Sequence, residues 1–171
     1  MNVPIVLLGV PVDVVTFLTF DHQAADAAAF YTSIFPRSRI VNTTHCPAGM
    51  PQPEGSVMTV TFELADRPFI SLNAGPSFSF SQGISLSVLC DAQSEVDCYW
   101  QRLLEDGGVE HACGWLTDRY GVSWQVNPKV LHQLMADPDP ERRQRAMAAM
   151  MGMVKIDAQA LLLAADGRRE A

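Results

Sequence analysis

The chain has 171 residues, 48% of them hydrophobic and only 18% charged, which excludes a disordered segment and suits one domain or two small modules sharing a core. Twelve Lys and Arg against nineteen Asp and Glu leave a formal charge of −7. With no basic stripe carrying interleaved aromatics, that balance argues against nucleic acid as a partner. No nucleophile motif and no metal motif occurs, so composition and spacing alone stop at an α+β domain with a small-molecule groove.

Residues 3–12 form an apolar run, broken by Pro4, Gly9 and Pro11. A secretory signal needs a basic segment ahead of its apolar core, and the first basic residue is Arg37. A membrane span needs about 20 apolar residues. Residues 1–13 are therefore expected to be an N-terminal arm or edge strand of a cytoplasmic chain, with no membrane partner.

Residues 14–20 read as a strand, followed by Asp21 as a helix N-cap. Ala24, Ala28, Tyr31 and Phe35 then recur at helical spacing until Pro36. Strands are expected at 39–44, 56–64 and 68–73. The order then repeats. Residues 84–90 form a strand run before Asp91, and Val96, Tyr99, Trp100, Leu103 and Leu104 share a helical face that Gly107 and Gly108 close. Strands follow at 109–113, around Trp115, and at 122–127.

Two matches carry the repeat. Phe30-Tyr31 matches Tyr99-Trp100, an offset of 69 (99 − 30), and Leu64-Ala65-Asp66-Arg67 matches Leu116-Thr117-Asp118-Arg119, an offset of 52 (118 − 66). The second offset pairs Ser71 with Ser123 and Asn73 with Gln125. Residues 14–76 and 77–127 are thus expected to be two β-α-β-β-β modules.

Residues 128–171 read as a helical tail. A helix over 128–136 is followed by Asp137-Pro138-Asp139-Pro140, a helix-start signal. Ala146, Met147, Met150, Met151 and Val154 then form an apolar stripe suited to core or subunit packing, to a lid over a ligand, or to a partner. Asp157 caps a last helix that ends near Gly167. The four cysteines, Cys46, Cys90, Cys98 and Cys113, lack C-x-x-C spacing and are expected as buried free thiols. His22, His45, His111 and His132 are scattered, without i, i+4 pairs, and are read as surface or packing residues.

The doubled β-α-β-β-β pattern resembles the vicinal oxygen chelate superfamily, which includes glyoxalase I, extradiol dioxygenases and the bleomycin- and fosfomycin-resistance proteins. Phe17-Leu18-Thr19-Phe20-Asp21, Glu54-Gly55-Ser56-Val57-Met58, Leu72-Asn73-Ala74-Gly75-Pro76, Cys113-Gly114-Trp115-Leu116 and Tyr120-Gly121-Val122-Ser123-Trp124-Gln125 are similar to its PhnB-like branch. That branch carries the name 3-demethylubiquinone-9 3-methyltransferase domain. The resemblance implies a curled mixed sheet around a cavity, C-terminal helices and a homodimer. In metal-using members of the superfamily, ligands sit on the first and last strands of each module, positions that map here to residues 14–16, Asn73, 83–85 and Gln125. None is His, Asp or Glu, and neutral amides and hydroxyls do little to offset the dehydration of a dication.

The expectation is a metal-free, cofactor-free cavity that binds a small polar or aromatic ligand through Asn73, Gln125, Ser71, Ser123, Ser85, Ser87, Thr16 and Trp115, with no catalytic residue assigned. The alternative implied by the resemblance is a metal-dependent lyase, isomerase, dioxygenase or thiol transferase using a divalent ion. Methyl transfer from S-adenosylmethionine fits poorly, because no G-x-G cradle and no doubly wound β-α pattern occurs.

Overall fold

The computed structural model describes residues 14–168, so the apolar arm expected at residues 1–13 lies outside the described residues. The chain divides into two compact units, Met1–Gly75 and Pro76–Ala171.

In the first unit β1 (Thr16–Phe20) leads into α1 (Ala24–Ile34), followed by β2 (Arg39–His45), β3 (Val57–Leu64) and β4 (Arg67–Asn73). The sheet order is β1-β4-β3-β2, with β1 parallel to β4 and the other pairs antiparallel. Ala24, Ala27 and Ala28 are fully buried, and their small side chains let α1 lie close on the sheet. Tyr31 stacks on Phe62, which stacks on Phe69. Residues paired across strands share a face, so α1 covers the side carrying Leu18, Phe20, Val60, Phe62, Phe69 and Ser71. The β3–β4 connection is a two-residue turn with Ala65 and Asp66 both at positive φ (48° and 64°), the geometry of a type I′ hairpin.

The second unit repeats the plan in β5 (Leu86–Cys90), α2 (Gln93–Leu104), β6 (Val109–Glu110), β7 (Trp115–Thr117) and β8 (Ser123–Pro128), in the order β5-β8-β7-β6. Here α2 covers the face of Cys90, Leu116, Trp124 and Val126. Trp100 Nε1 on α2 donates to Glu110 Oε1 at 2.8 Å, and Glu110 pairs with Leu116 on that face. Strands β5 and β6 are shorter than the apolar runs suggest, β6 ending at Glu110 because residues 111–114 turn to meet the tail.

The tail belongs to this second unit. Helices α3 (Lys129–Met135), α4 (Pro140–Met151) and α5 (Ala158–Ala165) pack around Leu131, Leu134, Ala146, Ile156 and Leu161. Met150 is packed against this cluster, whereas Met147 and Met151 are exposed. The expected Asp157 cap forms, accepting from Ala160 N at 2.9 Å, and within the expected helix-start segment Asp139 caps α4, accepting from Glu141 N at 2.9 Å. Gln93 joins tail to module, donating to Ile156 O at 3.1 Å and accepting from Ala158 N at 2.9 Å. No helix among the described residues is long and apolar enough to cross a membrane.

All four thiols are free, but only Cys46 and Cys90 are buried; Cys98 is exposed on α2 and Cys113 is half-buried, a correction to the expectation that all four are interior. Burial, reinforced by Glu95 and Asp91, pushes the Cys90 thiol up to about 11. Iodoacetamide at pH 8 is accordingly expected to alkylate Cys98 in native protein while sparing Cys90. Peptide mapping by mass spectrometry checks this, and equal labelling of the two sites contradicts it.

Candidate functional site

The residues expected to bind ligand divide by face. Thr16, Ser71 and Asn73 lie on the α1-covered side of the first sheet. Ser71 is wholly buried and its hydroxyl donates to Ala24 O at 2.9 Å. Asn73 Oδ1 accepts from Ala24 N at 2.8 Å, and its Nδ2 donates to Val57 O at 2.9 Å.

Asn73 thereby caps α1 from a distant strand. The expected cap, Asp21, does not do so; its carboxylate lies 3.2 Å from His22 Nδ1, and Gln23 at the N-cap position makes no side-chain capping bond. Because Asn73→Ala strands a helix N–H and a strand carbonyl, it is expected to cost about 1–3 kcal/mol. Chemical denaturation measures that loss, and an unchanged midpoint removes the capping role.

The second sheet presents the opposite case. Trp115 pairs with Gln125, Ser87 with Gln125, and Thr117 with Ser123, so these side chains share the face away from α2. Gln125 Nε2 donates to Ser85 Oγ at 2.8 Å, and Asn127 Nδ2 reaches Gln125 Oε1 at 3.4 Å. Five of the eight expected residues, Ser85, Ser87, Trp115, Ser123 and Gln125, are therefore brought onto one open face.

The difference between the modules corrects the repeat register. Phe20, just before Asp21, pairs with Asn73, whereas Cys90, just before Asp91, pairs with Pro128. The structural counterpart of Asn73 is thus Pro128, a step of 55 (128 − 73), and that of Gln125 is Ile70. The offset of 52 is three residues short. Strand side chains alternate, so this odd shift puts Asn73 and Gln125 on opposite kinds of face. The residue that flips the parity is local to the turn: five residues separate the paired Thr117 and Ser123, but only four separate Glu63 and Pro68.

On this open face lies a groove of about 300 Å³ lined by Phe80, Ser81, Gln82, Val109, His111, Thr117, Gly121 and Ser123. Val109, Thr117 and Ser123 form one row across β6, β7 and β8. His111 Nε2 and Thr117 Oγ1 share a hydrogen bond of 2.8 Å. Ser123 is 3% exposed, and its hydroxyl bonds no other described residue. His111 and Thr117 are site residues that sequence reasoning missed. A lone His just past a two-residue strand carries no spacing signal, and only the pairing of β6 with β7 brings it to Thr117.

The donor set does not suit a divalent cation. The open-face positions of the first and last strands are Phe17, Thr19, Ile70 and Leu72 in one sheet and Ser87, Leu89, Gln125 and Asn127 in the other. None offers an imidazole or a carboxylate, and no three His, Cys, Asp or Glu side chains converge among the described residues. A reaction step through a bound metal has no ligand set to support it at these positions.

Two four-stranded mixed sheets built from repeated β-α-β-β-β modules, with helices on one face of each, define an α+β protein of the glyoxalase, or vicinal oxygen chelate, fold. Residues 12–127 match the 3-demethylubiquinone-9 3-methyltransferase family, more than half of the chain, and the protein belongs to that PhnB-like family. The PhnB protein from Bacillus cereus is 34% identical, with a TM-score of 0.62 over 67% of this chain and 98% of its own. Protein YjdN of Escherichia coli K12 is 25% identical over 134 residues, 65% of this chain and 91% of its own. The fosfomycin resistance protein FosX from Mesorhizobium loti shares the fold at 12% identity, with a TM-score of 0.51 over 75% of this chain and 99% of its own.

Proposed function

We propose that this PhnB-like protein binds a small molecule, without a metal ion, in the groove on the open face of its second sheet. The observation that carries this reading is a Ser123 hydroxyl that lines the groove with no protein partner among the described residues, set directly across from Thr117 in its bond to His111. A hydroxyl with no protein partner is available to bond a ligand that displaces water from the groove. The groove joins an apolar wall, Phe80 and Val109, to a few polar groups, as small-molecule sites do. Gln125 with Ser85 and Trp115 extends the same face.

The methyl transfer in the family description is not part of this reading. It calls for a nucleotide cradle, and the only adjacent glycines, Gly107 and Gly108, follow a helix.

A thermal-shift screen of a metabolite library tests the reading. A ligand at a hundred times its Kd stabilises by about 2.7 kcal/mol, a rise of roughly 5–10 °C for a chain of this size. Ser123→Ala is expected to abolish most of that rise, and metal content of freshly purified protein is expected well below one ion per chain. Stoichiometric Zn, Mn, Fe or Ni that disappears in Gln125→Ala overturns the metal-free part. Stabilisation by no compound, or equal stabilisation of Ser123→Ala, overturns the groove.

A further inference from the structure

We infer that the ligand of this groove carries an oxyanion, a carboxylate on a small apolar or aromatic body, an inference that rests on the groove being the binding site. The first ground is what the lining lacks. In a chain with nineteen acidic residues, no carboxylate lines the groove. The acids adjacent in sequence are committed elsewhere: Glu110 to Trp100 Nε1 on the α2 face, and Asp118 to Trp124 Nε1 and the N–H groups of Tyr120 and Val122. A cationic ligand would meet no counter-charge here.

The second ground is the proton inventory. An imidazole in its neutral form and a hydroxyl hold two polar protons between them, and the bond shared by His111 and Thr117 uses one. In the Nε2–H tautomer the Thr117 hydroxyl proton remains free. In the Nδ1–H tautomer the imidazole N–H does. The Ser123 hydroxyl supplies another donor from the opposed strand position. Gln82 adds an amide at the rim. Several donors lining one groove suit an oxygen that accepts more than one hydrogen bond, and such bonds strengthen when the acceptor is ionised.

The third ground is size. A volume of about 300 Å³ corresponds to about ten waters at about 30 Å³ each, which suits a single ring bearing a carboxylate. Phe80 and Val109 supply the apolar contact. The net charge of −7 does not decide against an anion, since its field is screened beyond about 8 Å at physiological ionic strength.

The test uses the full chain and three single-ring probes of similar size, benzoate, benzamide and benzylammonium, with affinity read by calorimetry and contact by the His111 ring resonance in NMR. Benzoate is expected to shift that resonance and to bind at least about tenfold tighter than benzamide, with benzylammonium weakest. Ser123→Ala and the near-isosteric Thr117→Val are each expected to weaken benzoate about tenfold and benzamide less. Equal binding of benzoate and benzamide, both sensitive to Ser123→Ala, overturns the oxyanion and leaves the groove. Silence of His111 with all three probes overturns both.

Discussion

Asp118→Ala is expected to cost about 3–5 kcal/mol of stability, lowering Tm by roughly 10 °C or more. The Asp118 side chain is 3% exposed and accepts from Tyr120 N at 2.8 Å, Val122 N at 3.1 Å and Trp124 Nε1 at 2.8 Å. Its backbone closes the same turn, Asp118 N donating to Val122 O at 3.0 Å and Gly121 N to Asp118 O at 2.9 Å. One carboxylate thus satisfies three donors and sets the β7–β8 connection, whose length decides that Ser123 and Gln125 face away from α2. Alanine leaves an indole N–H and two backbone N–H groups without that acceptor. Asp118→Asn keeps the shape but turns an NH₂ toward donors, so it recovers only part of the loss. Urea denaturation followed by tryptophan fluorescence measures the effect, and a loss below about 1 kcal/mol contradicts the role.

Gly114→Ala is the second large effect, expected at about 2–5 kcal/mol from two separate causes. Gly114 sits at φ +79°, where an L side chain is strained. A Cβ there would also lie 2.6 Å from Asn127 Oδ1 and 2.9 Å from Ile156 Cγ1. The close approach exists because the tail docks on this segment, with Met153 O accepting from Cys113 N at 2.8 Å and Val154 O from Gly114 N at 2.7 Å. Asn127 Oδ1 is buried without a hydrogen-bond partner, so its removal sacrifices no bond at that atom. Gly114→Ala combined with Asn127→Ala is therefore expected to cost less than the two single losses added together. Strict additivity of the pair in thermal denaturation contradicts the clash with Asn127 and leaves backbone strain and the approach to Ile156 as the causes.

Both predictions fall on motifs visible in the sequence, Leu116-Thr117-Asp118-Arg119 and Cys113-Gly114-Trp115-Leu116, yet neither role could be read there. The match of Leu64-Ala65-Asp66-Arg67 to residues 116–119 places a turn correctly in each module. It cannot show that Asp66 occupies a two-residue hairpin and pairs with the exposed Arg37, while Asp118 is buried inside a longer turn. Asn73 is a similar case. Its residue type suggested ligand recognition, but its partners are the backbone of Ala24, 49 residues away, and of Val57. Local pattern did suffice where the physics is local. Asp139 and Asp157 cap their helices through bonds spanning two and three residues.

The sequence by itself determined the doubled β-α-β-β-β order, the helical tail, the family and the neutral character of the strand-end donors, because periodicity, caps and motifs act over a few residues. Only the tertiary structure decided which polar side chains face a helix and which face the groove. That choice depends on strand register, where a three-residue error reverses every side chain, and on pairings such as His111 with Thr117 that form only once β6 lies beside β7.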